Sequence, residues 1–421
     1  MEIVFPEQVV ADGRAAMFYF GVTGGERVTL LVPGMADDRR YLDPDFASIR
    51  QVLSDPTHKR ISQQNKGLNL PGGVVISGDI KRNMTVEAFL PFIYERMEQV
   101  QKTGQPFKET VIPVIHDIQL GSITERLDMF LKFLDYSIHE RGGKGIISVG
   151  DLLQGRNYRN MPNENHWLSA VPIGVQQANV HNMIRPFVEY IKFFKMVDGN
   201  HEWNSDWAAQ APNYHANINA MFNEFNRRVP EKERVDFRHF EFIQNNKGEI
   251  INAPFGFHQE QGANILFSHM YSQKGSGKGS SSIPVTHLSS WLETTGSTAK
   301  PYDILLGAHY HQVEMMATNG RLAAILGSNA GESGYEMARG YASVPMNGLL
   351  IFKPDGRIII EIISEQFMAD YKPKNPDLVK AGGVEGYLEK VLVHDAYPIH
   401  DGIMKGYEPQ KMYKRQLRVS K

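Results

Sequence analysis

The stretch VIPVIHDIQLGS, residues 111–122, runs from apolar to polar side chains, and GIISVGDLLQG at residues 145–155 repeats the pattern. Short apolar runs that end in small or polar residues are typical of strands buried on both faces of a sheet. Helical spacing follows each stretch, at residues 123–139 and 172–191. A strand, helix, strand alternation of this kind predicts an α/β layered domain.

Further apolar runs extend the pattern toward the carboxyl end, at residues 194–197, 265–267, 304–306 and 322–326. The turn signal Pro354-Asp355-Gly356 predicts a hairpin between residues 348–352 and 357–363. Residues 1–109 are less regular, with strand-like runs at 27–33 and 73–77 and a predicted helix at 85–101. The α/β pattern is therefore clearest from residue 110 onward.

The composition limits which side chains can bind a metal or act as a nucleophile, but it says little about binding partners. The 421 residues include no cysteine, which excludes disulfides, thiolate zinc sites and a cysteine nucleophile, and leaves oxygen and imidazole ligands for any metal. The formal net charge of -2 favours no class of partner. No apolar run approaches the roughly 20 residues that span a bilayer, and no signal peptide is evident. We therefore expect a cytoplasmic protein without a membrane partner.

Side chains of metal-ligand type stand directly after five of the predicted strands. In chain order they are Asp117 and Gln119; Asp151; Asn200, His201 and Glu202; His269; and His309 and His311. Loops at the carboxyl ends of strands in α/β sheets converge on a crevice where ligands bind. In an extended chain, residues two apart point to the same side, so Asp117 and Gln119 should lie together and His116 should face away.

Each cluster alone has an ordinary explanation, as a helix cap, a turn residue or an interior histidine, but the five in this order favour a two-metal hydrolase. Such a site needs a carboxylate that bridges two cations about 3.5–4 Å apart, and Asp151 is the candidate. Mixed nitrogen and oxygen donors suit manganese, iron or zinc better than calcium. His201, beside the predicted ligand Asn200, is placed to donate a proton to a leaving oxygen.

The motif order Asp-x-(His/Gln), Gly-Asp, Gly-Asn-His-(Asp/Glu), His, Gly-x-His-x-His resembles the calcineurin-like metallophosphoesterase superfamily. The resemblance covers residues 110–365 as a catalytic domain, with an N-terminal region of unknown role at 1–109 and a C-terminal extension with a basic tail at 366–421. It implies a four-layer sandwich of two mixed β-sheets flanked by helices. It also implies the ligand sets: Asp117, Gln119, Asp151 and His311 for the first metal, and Asp151, Asn200, His269 and His309 for the second. His201 would be the general acid.

The sequence departs from the family pattern at two points. Gln119 stands where the family usually has histidine, and the last block, Gly307-Ala308-His309-Tyr310-His311, is one residue longer than the common form. A neutral amide oxygen should weaken the first metal position and shift its preference toward manganese or magnesium. Gln119 acting through water or outside the coordination shell stays open. The predicted cofactors are two divalent ions, with manganese favoured and iron, zinc, magnesium or nickel as alternatives.

The resemblance is greatest to nuclease-like members, related to double-strand-break repair exonucleases and phage proteins. The stretch after Asp151 lacks the phosphatase pattern Gly-Asp-x-Val-Asp-Arg-Gly, and Arg156, Asn157 and Trp203 are candidate nucleic-acid contacts, with a solvated loop or core position as their alternative. We therefore predict hydrolysis of phosphate esters by a metal-activated hydroxide, as a phosphodiesterase or nuclease acting on DNA. The alternatives are a small-substrate phosphodiesterase or phosphomonoesterase, and an inactive binding protein. A homodimer also stays open.

Overall fold

The computed structural model describes most of the chain between residues 91 and 392. Before residue 91, it describes four short segments, each of which is a strand. The described ranges are 17–22, 27–31, 73–76, 84–89, 91–122, 125–155, 173–202, 214–240, 243–244, 250–252, 255–269, 302–309, 311, 313–318, 321–331 and 346–392. The predicted substrate contacts Arg156, Asn157 and Trp203 lie outside these residues, as does the basic tail.

The described elements alternate between strands and helices in the middle of the chain. The strands are β1 (Met17–Val22), β2 (Arg27–Leu31), β3 (Gly73–Ile76), β4 (Met84–Phe89), β5 (Thr110–Ile115), β6 (Gly145–Ser148), β7 (Phe193–Val197), β8 (Asp236–Phe240), β9 (Ile243–Gln244), β10 (Ile250–Asn252), β11 (Gly256–Glu260), β12 (Ala263–Ser268), β13 (Ile304–Gly307), β14 (Val313–Thr318), β15 (Arg321–Leu326), β16 (Met346–Phe352) and β17 (Ile358–Ser364). The α-helices are α1 (Pro91–Thr103), α2 (Leu127–Asp135), α3 (Ile173–Ile184), α4 (Tyr214–Arg228), α5 (Glu365–Asp370), α6 (Pro376–Lys380) and α7 (Val384–Val391). A π-helical turn, Tyr136–Glu140, extends α2, and a 3-10 turn, Arg185–Tyr190, extends α3.

Two mixed sheets carry the fold, and a short pair of β9 and β10 stands apart from them. The larger sheet has nine strands in the order β2-β1-β4-β17-β16-β5-β6-β7-β8, and the smaller has six in the order β11-β12-β13-β15-β14-β3. Strands β5 to β8 are parallel, as are β12, β13 and β15, whereas the remaining pairs are antiparallel. The parallel strands bring their carboxyl ends to one edge, where the predicted ligands stand.

The apolar side chains form two cores on opposite faces of the nine-stranded sheet. One core, including Phe130, Phe187 and Phe222, packs the helices against the sheet, and the other, including Phe267 and Leu350, fills the space between the two sheets. On the outer face of the six-stranded sheet, the side chains of Leu266, Leu305 and Ile325 are also buried, so that face is covered too. The prediction of two mixed sheets flanked by helices is confirmed.

One predicted element is wrong in part. Residues 85–89 were expected to begin a helix, but they belong to β4 (Met84–Phe89), which pairs with β1 and β17. The helix α1 begins only at Pro91, a residue that is favourable at the first helical position because it lacks the amide hydrogen that a helix start leaves unpaired. Sheet pairing at long range therefore decides the conformation of residues 84–89.

Strands from the predicted N-terminal region belong to the same hydrogen-bonded sheets as the predicted catalytic domain, and helices from the predicted C-terminal region pack on the helix-side core. β1, β2 and β4 extend the nine-stranded sheet, and β3 pairs with β14 at the edge of the six-stranded sheet. After residue 365, Met368, Leu378 and Leu388 pack into the helix-side core. The boundaries at residues 109 and 365 stay predictions. No helix within the described ranges is long and apolar enough to cross a membrane.

Candidate metal centre

Five of the predicted ligands adopt a backbone conformation that side-chain-bearing residues rarely take. The φ angle is 46° at Asp117, 48° at Gln119, 53° at Asp151, 85° at His309 and 53° at His311. Positive φ is uncommon outside glycine and concentrates at functional sites, where surrounding contacts hold it in place. The chain therefore leaves the extended conformation at each of these five residues. Because Asp117 and Gln119 are not in an extended strand, strand alternation is the wrong reason for their pairing.

Backbone hydrogen bonds continue past the ends of β5 and β6 and align the first two ligand loops. The Asp117 N–H donates to the Gly150 carbonyl at 3.0 Å, and the Gln119 N–H donates to the Asp151 carbonyl at 2.9 Å. On the other side of the Asp117 loop, the Ala330 N–H donates to the Asp117 carbonyl at 2.9 Å. The Asp117 and Asp151 loops are thus fixed side by side by main-chain bonds.

The loops after β6 and β7 approach each other so closely that glycine is required. A Cβ atom at Gly199 would lie 2.0 Å from Asp151 Oδ1, and one at Gly150, whose φ is +89°, would lie 2.6 Å from the Gly199 nitrogen. A side chain at Gly199 would collide with the Asp151 carboxylate, and one at Gly150 would collide with the backbone of the loop after β7. The glycines of the Gly-Asp and Gly-Asn motifs therefore permit the approach on which the site depends.

The hydrogen bonds of His269 define its tautomer. Its Nδ1 lies 2.8 Å from the Val149 carbonyl oxygen, which only accepts, so Nδ1 carries a hydrogen. Its Nε2 lies 3.0 Å from Asn200 Oδ1 and 2.9 Å from Asp151 Oδ2. In the neutral ring with its hydrogen on Nδ1, these three atoms are all acceptors, so either a proton on Nε2 or a metal cation is needed to hold them together. A histidine that ligates a metal commonly donates its other ring N–H to a carbonyl in this way.

The carboxylate of Asp151 supports the same conclusion. Its Oδ2 is buried and receives no hydrogen bond of good geometry, although His269 Nε2 is close to it. One ligand atom from each of Asp151, His269 and His309 lies within 4.8 Å of the other two. A buried carboxylate oxygen facing imidazole nitrogens is the environment of a divalent cation. The residues present therefore fit the metal that the sequence predicts.

Charges in the cluster act strongly on one another. Burial disfavours the charged ring of His269, but the carboxylates of Asp151 and Asp117 outweigh this and raise its pKa to about 9. Burial and the positive charge of His269 lower the pKa of His309 to about 4. The pKa of Asp151 is lowered, since His269 and His201 overcome the effect of its burial. In the absence of a metal, a proton on His269 thus takes the place of the cation.

Asp117 is surrounded by donors from the protein itself. The His309 N–H lies 3.1 Å from its Oδ2 and 3.3 Å from its Oδ1, His116 Nδ1 lies 3.0 Å from Oδ2, and His311 Nε2 lies 3.4 Å from Oδ1. Although burial opposes ionisation, these imidazoles hold the pKa of Asp117 well below its usual range. His116 was expected to face away from the site, and that expectation is wrong because the left-handed turn at Asp117 brings the two side chains together.

Gln119 is the predicted ligand whose position differs most from a metal ligand's. Its Nε2 lies 3.2 Å from Nε2 of His311, and both side chains are buried. The amide thus contacts the nitrogen through which His311 would bind a metal. Rotation of the amide by half a turn about its last bond exchanges its nitrogen and oxygen, which would present the oxygen instead. Gln119 is accordingly within reach of the first metal position.

His201 is held by its backbone and by one ring nitrogen. Its N–H donates to Asp151 Oδ1 at 2.9 Å, and its Nδ1 lies 2.8 Å from the Gln154 carbonyl oxygen, so Nδ1 carries a hydrogen. Its Nε2 lies 3.7 Å from Asp151 Oδ2, and the side chain is 24% exposed. Unlike the buried imidazole of His269, this ring combines contact with the cluster and access to solvent, as a proton donor requires.

Glu202 is a member of the site for which the sequence suggested no role. Its Oε2 accepts the N–H groups of Asp151 at 2.9 Å and Gly199 at 2.8 Å, and its Oε1 accepts that of Leu153 at 2.9 Å. The side chain is fully buried. Burial and the charge of Asp151 raise the pKa of this carboxyl well above its usual range. Its place in the Gly-Asn-His-Glu motif was visible in the sequence, but its partners were not.

Comparisons with known proteins give only distant likenesses. No protein-family model matches the chain, and no curated protein matches it. Solved structures similar to it include an archaeal phosphodiesterase, at 12% identity over 57% of this chain and 93% of that one, with a TM-score of 0.31. Vps29 from Entamoeba histolytica complexed with zinc aligns at 13% identity over 60% and 91%, with a TM-score of 0.31. A putative 5'-nucleotidase from Staphylococcus aureus aligns at 10% over 74% and 58%, also at 0.31.

Likenesses at these identities and scores carry no argument about activity. The grouping of the predicted ligands is independent of them. Within the described residues, the structure brings all seven predicted ligands and His201 to one edge of the sheets. They are Asp117, Gln119, Asp151, Asn200, His269, His309 and His311. The site is a candidate metal centre on the strength of its own geometry.

Proposed function

We propose that this chain is a metal-dependent phosphoesterase of the calcineurin-like metallophosphoesterase superfamily that hydrolyses phosphodiesters, with DNA as its substrate. The observation that carries the proposal is the convergence of two acceptor oxygens on the buried His269 Nε2, Asn200 Oδ1 at 3.0 Å and Asp151 Oδ2 at 2.9 Å, in a cluster that includes a ring nitrogen of His309. Such an arrangement is costly to bury unless a cation lies between the acceptors.

The ligand sets that we propose are those implied by the sequence resemblance, and the grouping of Asp151, His269 and His309 supports one of them. Asp151, Asn200, His269 and His309 would hold one cation, and Asp117, Gln119, Asp151 and His311 the other. When bound, the cations would supply Lewis acidity, which stabilises developing charge on phosphoryl oxygens and lowers the pKa of water. Oxygen and imidazole donors with two neutral amides, those of Asn200 and Gln119, favour manganese.

His201 has the geometry of a general acid in this scheme. The Nδ1–H group is held by the Gln154 carbonyl, so the proton that can be transferred sits on Nε2. A proton at Nε2 would pass to the leaving oxygen of the ester as the phosphorus–oxygen bond breaks. The hydrogen bond at Nδ1 fixes the ring, with Nε2 3.7 Å from Asp151 Oδ2.

DNA as substrate rests on the sequence resemblance to nuclease-like members and on the missing phosphatase motif after Asp151. The test is to strip the purified protein of metal, reload it with Mn²⁺, and assay bis(p-nitrophenyl) phosphate beside single- and double-stranded DNA. We expect Mn²⁺-dependent cleavage of both kinds of substrate. Cleavage of the small ester alone would refute the nuclease assignment, and no cleavage of any ester with Mn²⁺, Fe²⁺ or Zn²⁺ would refute the phosphoesterase itself.

A further inference from the structure

The buried carboxylate of Glu202 joins two loops of the candidate centre through backbone hydrogen bonds. Its three backbone partners belong to two different loops, the one after β6 and the one after β7. Among them are the amide of Asp151 itself and that of Gly199, the residue before Asn200. A single buried carboxylate thus joins the loops that present two of the predicted metal ligands.

We propose that Glu202 is a positioning residue that sets the geometry of the Asp151 part of the metal centre and thereby its affinity for metal. The inference rests on the proposed function, because it assumes that Asp151 and Asn200 bind a cation. Glu202 acts through main-chain atoms and contacts neither the metal nor the substrate in this account. Groups that orient metal ligands in this way commonly contribute about 10- to 100-fold to metal affinity.

The hydrogen bond from the Leu153 N–H to Glu202 connects Glu202 to His201, the proposed proton donor. Leu153, whose N–H donates to Glu202 Oε1, is followed by Gln154, whose carbonyl oxygen orients the ring of His201. Asp151 adopts a left-handed backbone conformation, and its amide is one of those held by Glu202. Because such a conformation persists only where surrounding contacts enforce it, loss of the carboxylate should let the loop relax.

Replacing the carboxylate by an amide of the same shape isolates this role. Three N–H donors face the two oxygens of Glu202, and glutamine offers one oxygen and one NH₂ group. In one orientation the amide keeps the bonds to Asp151 and Gly199 but turns its NH₂ against the Leu153 N–H. In the other orientation it loses both of those bonds. Glu202→Gln therefore leaves at least one buried donor without an acceptor while filling the same volume.

Asp135 provides a matched control at the end of α2, in the helix-side layer. It is also fully buried, and it accepts the N–H groups of Lys374 at 2.9 Å and Asn375 at 2.6 Å and the hydroxyl of Tyr371 at 2.7 Å. None of these donors is a predicted metal ligand or its neighbour. Asp135→Asn should thus disturb a carboxylate of the same kind and lower stability without touching the metal centre.

The experiment is to titrate metal-stripped full-length wild type, Glu202→Gln and Asp135→Asn with Mn²⁺ by calorimetry, and to record the melting temperature and the Mn²⁺ electron paramagnetic resonance spectrum of each. We expect Glu202→Gln to weaken the tightest Mn²⁺ step by about 10- to 100-fold and to change the spectrum. Asp135→Asn should keep wild-type affinity and spectrum while melting at a lower temperature.

Wild-type Mn²⁺ affinity and spectrum in Glu202→Gln, while the wild type binds Mn²⁺, would overturn the positioning role and leave the proposed function intact. A wild type that binds no Mn²⁺ would overturn both. If Glu202→Gln does not fold, Glu202→Asp takes its place, because it keeps the charge but withdraws the oxygens by one methylene. We expect Glu202→Asp to lose affinity as well, and an unchanged Mn²⁺ affinity in that variant would equally overturn the role.

Discussion

The two parts of the candidate centre differ in how far the protein satisfies its own ligand atoms. In the Asp117 part, the carboxylate receives a backbone N–H and faces the side chains of His116 and His311, while Gln119 contacts His311 Nε2. In the Asp151 part, Oδ1 of Asp151 also accepts a backbone N–H, that of His201, but its Oδ2 receives no well-formed hydrogen bond and lies 2.9 Å from His269 Nε2. A cation gains more where the protein leaves acceptors unsatisfied, so the Asp151 part should bind metal first and more tightly.

Each part also has a nearby carboxylate that accepts backbone N–H groups, and the one beside the Asp151 part accepts more of them. Glu202 accepts three backbone N–H groups around Asp151, whereas Glu125 accepts one, that of Gly121, beyond Gln119. A buried carboxylate that accepts three amides restrains its surroundings more than one that accepts a single amide. Main-chain bonds fix both ligand loops side by side, so the difference between the two parts lies in this added side-chain support, which is greater for the Asp151 part.

The largest effect should come from Asp151→Asn, because Asp151 belongs to both ligand sets. Loss of a bridging carboxylate removes several kcal/mol of charge stabilisation, which at about 1.4 kcal/mol per tenfold corresponds to a rate loss on the order of 10³-fold. The readouts are Mn²⁺ stoichiometry and the rate on bis(p-nitrophenyl) phosphate. Asp236→Asn, in a half-exposed ion pair with Lys195, is the control and should retain both. Two tightly bound Mn²⁺ ions in Asp151→Asn would show that Asp151 does not bridge.

His201→Ala should separate catalysis from metal binding in the Asp151 part. The ring contacts Asp151 but is not in either ligand set, so both Mn²⁺ steps should keep their affinity while kcat falls by about 10²-fold or more. The loss should be smaller for an ester with a good leaving group, because that group needs less help from a proton donor. A large loss of Mn²⁺ affinity would instead make His201 a ligand.

Gln119→His directly tests the Asp117 part, which we expect to bind metal less tightly than the Asp151 part. An imidazole in place of the neutral amide should tighten the second Mn²⁺ step by about tenfold and shift preference toward Zn²⁺, since nitrogen donors suit zinc. The tighter step should not change. Competition between Mn²⁺ and Zn²⁺, followed by metal analysis of the dialysed protein, measures the shift. Equal change in both steps would mean that the two parts do not bind independently.

The smallest effect concerns Glu125, the support behind the Asp117 part. Burial raises the pKa of its carboxyl from 4.5 to about 7, although the Gly121 N–H acts in the opposite direction. The folded protein therefore binds the proton more tightly than the unfolded chain, and the free energy of unfolding falls as pH rises from about 4.5 through 7.

Glu125→Gln should remove this pH-dependent fall in the free energy of unfolding. Above pH 7 the variant should be more stable than the wild type by about 1 kcal/mol, a value smaller than the pKa shift alone would give because the side chain is partly exposed. Denaturant unfolding at several pH values measures it. Glu98→Gln, on an exposed face of α1, is the control and should leave the pH dependence unchanged. A wild type equally stable at pH 5 and pH 8, with no difference in Glu125→Gln, would contradict the raised pKa.

The strands and the grouping of the candidate ligands at one edge were predictable from sequence because both depend on local patterns. Short apolar runs located β5, β6 and β7, and polar residues after them marked the loops that converge. The reason these ligands meet was not predictable, since five of them leave the extended conformation through positive φ, which long-range contacts enforce. His116 was missed for that reason.

Long-range pairing explains the remaining differences. Residues 84–89 form a strand because β1 and β17 lie on either side of them, and neither neighbour is close in sequence. Glu202 was visible in its motif, but its acceptor role depends on amides about 50 residues earlier in the chain. The sequence therefore shows which residue types could bind a metal. The backbone contacts that hold those residues in place can be identified only from the fold.

Calorimetric titration of the metal-stripped wild type with Mn²⁺ tests the central claim most directly. We predict two equivalents of Mn²⁺ per chain with unequal affinities, the tighter of which is lost in His269→Ala while the weaker one is retained in reduced form. A single class of two equal sites would contradict the difference between the two parts. Binding of no Mn²⁺, or an unchanged titration in His269→Ala, would contradict the metal centre itself.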